Sequence, residues 1–213
     1  MKTHLYRRGM TQSRWVSITA IMTALALVGN YALVAVPNLE LGSSILFLTA
    51  YIFGMHMAIW STLIMSLLFG IINPWGAFIP QIWISQVIGW FYIVTIGSIM
   101  GRLGPNGERP EPRKWELAFT GAFVTFIFEQ VTNIGYSVTF GVPFYLAVTA
   151  AIPFTLLHIF SNSIVFSQVV PILDATLTRQ LKGLIWNTEY EQGVKEAGTI
   201  SEELPEVYGE NQI

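Results

Sequence analysis

The sequence predicts an all-α integral membrane protein: a compact bundle of six transmembrane helices with both termini cytoplasmic. Three observations carry that expectation. Of the 213 residues, 53% are hydrophobic and only 11% charged, and the mean hydropathy is +0.54, too apolar for an ordinary soluble domain. No Lys, Arg, Asp or Glu occurs between Glu40 and Arg102. The basic residues are confined to segments that a six-span topology places on one side of a membrane. The net charge of −2 says little, because the charges are segregated by region. With no cysteine in the chain, disulfides and thiolate metal sites are excluded.

Residues 1–14 form a basic lead containing Lys2, Arg7, Arg8 and Arg14. The first span, 15–36, is long enough to cross, lacks a small-residue cleavage pattern and is closed by Pro37. A short polar loop follows at 38–42. Residues 43–72 are apolar and interrupted only near Gly54-Met55-His56, so they read as one long tilted helix or two short ones. Asn73-Pro74-Trp75-Gly76 is a strong turn signal before a span over 80–101. A basic, Pro-rich connector covers 102–114, a span covers 115–140, and Gly141-Val142-Pro143 turns the chain into a last span over 144–171. The membrane domain is thus expected over 15–172. Residues 173–213 form an acidic cytoplasmic tail, largely disordered apart from a short interfacial helix over 177–186. No internal repeat is evident.

Charge placement decides the number of spans. Two helices between residues 43 and 72 put all eleven basic residues on the side of the amino terminus, whereas one helix moves the 102–114 cluster to the opposite face. The positive-inside rule therefore favours six spans with both termini cytoplasmic, and the expected location is the plasma membrane.

Polar groups converge on a candidate site. Glu129 is the only acid between Leu117 and Phe140, and Thr125, Glu129, Asn133 and Tyr136 share a helix face. An intramembrane carboxylate normally points at a partner or a cavity, although a neutral carboxyl bonded to a neighbouring helix is the simpler alternative. Trp83, Gln86 and Trp90 form a second stripe, and Thr155, His158 and Asn162 a third. The loops that face outward add Asn38, Glu40, Asn73 and Trp75. Each has a plainer reading: Trp83 and Trp90 as packing, Asn133 and Asn162 as interhelical amides, His158 as a satisfied core histidine, and Asn38 and Glu40 as solvated loop residues. His56, in a tight turn, reads as structural. Ala20 and Ala24 on the first span allow close helix approach, by default within the protein.

On these residues the chain resembles the substrate-binding S components of energy-coupling factor (ECF) vitamin transporters. The resemblance rests on Ala20-x-x-x-Ala24, on the segments VPNLELGSSILFLTAYIFG and INPWGAFIPQIW, and on HIFSN in the last span, and it covers roughly residues 15–172. It implies a six-helix bundle that captures a vitamin or precursor from outside, holding it with helices four to six and the outer loops. It also implies docking of Ala20 and Ala24 against a transmembrane coupling subunit that bears two cytoplasmic ATPases. No P-loop occurs in the chain, so ATP hydrolysis is expected from another polypeptide. The alternative is a stand-alone proton-coupled transporter using Glu129 and His158. An enzyme is not expected: HExxH, paired intramembrane Asp and Cys are all missing, and His56 and His158 fall in opposite halves of the membrane. Neither a cofactor nor a metal is expected, and the sequence does not separate thiamine precursors from corrinoids, pterins or flavins.

Overall fold

The computed structural model describes residues 10–36, 38–73, 76–102 and 111–185, with side chains to residue 180. Pro37, Trp75, the first nine residues and the acidic tail from residue 186 lie outside it. Among the described residues there are six helices and no strands: α1 (Gln12–Ala32), α2 (Gly42–Phe53), α3 (Met55–Ile71), α4 (Pro80–Met100), α5 (Lys114–Phe140) and α6 (Phe144–Ile185). Four of them, α1, α4, α5 and α6, are long and apolar enough to cross a membrane. That belongs to a membrane protein.

The apolar run over 43–72 divides as two helices. Gly54 breaks it with φ +87, a left-handed conformation open to glycine at little cost. α2 has only 12 residues, about 18 Å of helix, well short of a ~30 Å hydrocarbon core. It is nonetheless the centre of the molecule, since every residue from Gly42 to Ile52 is buried. Phe47, Leu46 and Leu48 from α2 meet Met22 and Ala26 of α1, Trp90 and Val94 of α4, Leu117 and Val124 of α5, and Phe166 of α6. Outward from this core the surface is apolar, with Val16, Ile21, Leu25, Val28, Ile84, Ile88, Phe119, Phe123, Phe126, Leu156 and Phe160 all exposed. A belt of that kind is unsuited to water and suited to lipid.

Two helix ends differ from the expected ones. α1 stops at Ala32 instead of Val36, and residues 33–36 form turns closed by Val34 N–H to Tyr31 O (3.2 Å) and Val36 N–H to Leu33 O (2.9 Å). The proline at 37 disfavours helical backbone at Val36, which unwinds the last turn. At the other end, α6 runs through Pro153 and Pro171 to Ile185 without a break. The region expected as a separate interfacial helix is its continuation. Proline removes one hydrogen bond but does not end an apolar helix whose neighbours hold it.

α5 packs along α6 and along α4, and α4 along α2. The α5–α6 approach depends on Gly121: a Cβ there would lie 2.7 Å from the Asn162 carbonyl oxygen. This close seam sets Thr125 and Glu129 opposite Asn162 and His158.

Candidate functional site

The site grows from Glu129, which is 8% exposed near the middle of α5. Its Oε1 accepts a hydrogen bond from Asn38 Nδ2 (3.1 Å) and lies 2.6 Å from His158 Nδ1. Its Oε2 accepts from Thr155 Oγ1 (3.3 Å). Two donors already serve the carboxylate, so the proton between Glu129 and His158 is assigned to Nδ1. Thr155 and His158 stand three residues apart on one face of α6, which is why they reach the same acceptor. One turn along the seam, Asn162 Nδ2 donates to Thr125 Oγ1 (2.9 Å).

The loop between α1 and α2 closes over this pair. Asn38 adopts φ 58, a left-handed backbone that Asn tolerates better than most residues. Leu41 N–H to Gly29 O (3.2 Å) ties the loop to α1. Glu40 Oε1 sits 3.6 Å from His158 Nε2 and accepts from Ser43 Oγ. Ser43 Oγ in turn accepts from Trp90 Nε1 (3.1 Å). A polar chain thus runs from Trp90 on α4 through Ser43 on α2, Glu40 on the loop and His158 on α6 to Glu129 on α5. Leaving any buried member unpaired would cost about 1–3 kcal/mol, more for the carboxylates.

A cavity of about 220 Å³ opens on this chain. Asn38, Glu40, Glu129 and His158 give it a polar side, with Asn30, Gln86 and Thr132 nearby, and Phe69, Trp90 and Phe128 give it an aromatic wall. The Trp90 and Phe128 rings are 5.5 Å apart and tilted by 45°, and Phe69 meets Trp90 edge-on at 6.4 Å. Convergent hydrogen-bonding groups against aromatic faces make a concave site for a small molecule.

Of the residues singled out in the sequence, Asn38, Glu40, Gln86, Trp90, Glu129 and His158 come together at the cavity. Others do not line it. Asn133 is buried with its Nδ2 unbonded among the described residues. Asn162 belongs to the α5–α6 seam. Tyr136 is 45% exposed, its ring 4.6 Å from Phe140. Trp83 packs on Phe78 at 5.8 Å, two turns from Trp90. Asn73 is half-buried in its loop, and Trp75 lies outside the described residues. Ala20 and Ala24 are exposed on α1, and His56 sits against Trp15 at 5.3 Å.

Sequence reasoning missed Asn30, Phe69, Phe128 and Thr132. Asn30 carried a usable signal, an amide in an otherwise apolar stretch, and Thr132 stands three residues from Glu129. Phe69 and Phe128 carried none among so many phenylalanines. Among the described residues no group of three His, Cys, Asp or Glu is placed to hold a metal ion. Comparison with protein-family profiles, curated proteins and solved structures returns no match.

Proposed function

We propose that this chain is the substrate-capturing S component of an ECF-type importer, binding a vitamin or related micronutrient from outside for ATP-driven uptake. The observation that carries this reading is the convergence of Asn38, Glu40, Glu129 and His158 on one cavity beneath the α1–α2 loop. On this reading all six helices span the plasma membrane and both termini are cytoplasmic. The supporting argument is charge: Arg14, Arg102, Arg113, Lys114 and Arg179 then fall on one side, with the α1–α2 loop on the other. Ala20 and Ala24, exposed on α1, dock a transmembrane coupling subunit that carries two ATPase subunits. The chain itself is not an enzyme.

Uptake by proteoliposomes tests this. ATP-dependent accumulation that needs both the coupling subunit and the ATPases is expected, and full uptake by this chain alone would overturn the reading. The 2.6 Å Glu129–His158 contact favours one rival, a proton-coupled carrier in which the pair exchanges the transported proton. That rival predicts uptake abolished by collapse of the proton gradient with ATP still supplied.

A further inference from the structure

The charge balance of the cavity narrows what it holds. We propose that its ligand is a small aromatic or heteroaromatic monocation bearing an N–H donor, such as a protonated amine on a flat ring, and not a neutral or anionic solute. This deepens the capture-subunit reading and rests on it for the statement that the cavity is a substrate site.

Two carboxylates, Glu40 and Glu129, face one imidazole, and among the described residues no Lys or Arg lines the cavity. With both acids ionised and a neutral His158 bearing its proton on Nδ1, the three groups carry an excess of negative charge. In an apolar bundle such an excess is costly unless a cation balances it. A ligand carrying one positive charge offsets part of that excess, which no lining residue among the described ones does.

The wall opposite the acids matches the same ligand. Phe69, Trp90 and Phe128 form a continuous set of rings, and a cation within ~6 Å of such faces is attracted by their quadrupoles. The flat part of the ligand stacks where its charged end meets the acids.

The demand for an N–H comes from His158. In the neutral ring, with the Nδ1 proton engaged by Glu129, Nε2 is an acceptor, and this buried atom has no hydrogen-bond partner among the described residues. Glu40 Oε1, a second acceptor, stands 3.6 Å from it. Two acceptors that close together are satisfied by a donor placed between them. A quaternary ammonium brings charge without that donor. The residues do not form a metal-binding group, and a cavity of about 220 Å³ limits the ligand to a small molecule.

The test uses the purified full-length protein in detergent and two sets of probes built on constant rings. These are benzylamine, benzyl alcohol, benzoate and benzyltrimethylammonium, and tryptamine, tryptophol, indole-3-acetate and trimethyltryptammonium. Titration calorimetry and thermal unfolding should show an amine bound at least about tenfold tighter than its alcohol, with no stabilisation by the acids. Glu129→Gln and Glu40→Gln should each weaken the amine by about tenfold or more. The comparison among probes is decisive on the wild-type protein even where a variant does not fold. Preference for an alcohol or acid, or stabilisation by neither amine, overturns the cation assignment, and equal binding of a quaternary probe overturns the N–H requirement. Uptake that runs without ATPase subunits would remove the importer reading while leaving a measured charge preference standing.

Discussion

His158 Nδ1 lies 2.6 Å from Glu129 Oε1, joining α5 and α6 at the level where the α1–α2 loop folds over them. Neither side chain is tolerable alone in an apolar bundle, because an unpaired buried charge costs several kcal/mol. Each makes the other possible, and together they present Nε2 of His158 and the second acid, Glu40, to the cavity.

The first prediction concerns that coupling. His158→Ala should destabilise the fold by about 1–3 kcal/mol, since it leaves the buried carboxylate with only Asn38 and Thr155 as donors. In the Glu129→Gln background the same change should cost less, because a neutral amide is left behind. A double-mutant cycle on thermal unfolding should return a coupling of about 1 kcal/mol or more; additive effects would mean that the two groups do not interact.

Binding should separate the residues at the cavity from those beside it. Glu129→Gln and Asn38→Ala are expected to weaken ligand affinity by about tenfold or more. Asn133→Ala, outside the cavity lining, should change affinity by less than about threefold. So should Thr120→Ala, whose hydroxyl contacts Met100 Sδ at 3.7 Å. Calorimetric titration with the ligand retained on the purified protein, identified by mass spectrometry, provides the comparison. A large loss in Asn133→Ala would extend the site along α5.

Topology has a direct assay. On the six-span reading, Gly107→Cys in the basic connector is protected from a membrane-impermeant thiol reagent added to intact cells, and Gly141→Cys at the α5–α6 turn is labelled. The wild-type chain has no cysteine to confuse the result. Labelling of Gly107→Cys from outside would break the six-span topology.

Docking through α1 predicts a split between two readouts. Ala20→Trp and Ala24→Trp place bulk on an exposed face, so ligand binding to the isolated chain should persist while uptake with the coupling and ATPase subunits falls. Loss of binding together with uptake would assign these alanines to internal packing.

Much of the site was legible because an acid, a histidine and several amides are conspicuous in apolar helices. An interruption near Gly54 was also visible, but residue pattern alone left one helix or two open over 43–72, and charge placement decided for two. Helical periodicity fixes azimuth, and here it placed Thr125, Glu129 and Asn133 correctly on the buried face. It does not fix height. Trp83 and Trp90 share a face of α4, yet only Trp90 stands level with Glu129. Tyr136 keeps the azimuth of Glu129, but Gly135 already sits against Ser85 in the first turns of α4, so little remains beyond it to cover the ring. The register of one helix against another is set by loop geometry and by close contacts such as Gly121 on Asn162, and neither is written in a local pattern.

The enclosure of α2 has a consequence for how the bundle is held together. Ser43, Ser44 and Thr49 are shut away from the surroundings, and the helix presents no face to lipid. At 12 residues, the segment is too short to cross a bilayer's hydrocarbon core by itself. Its enclosure is completed in part by α4, whose Trp90 supplies the indole N–H to Ser43, and these two segments are separated in the chain by all of α3. The enclosure of α2 therefore depends on segments that lie far apart in the chain.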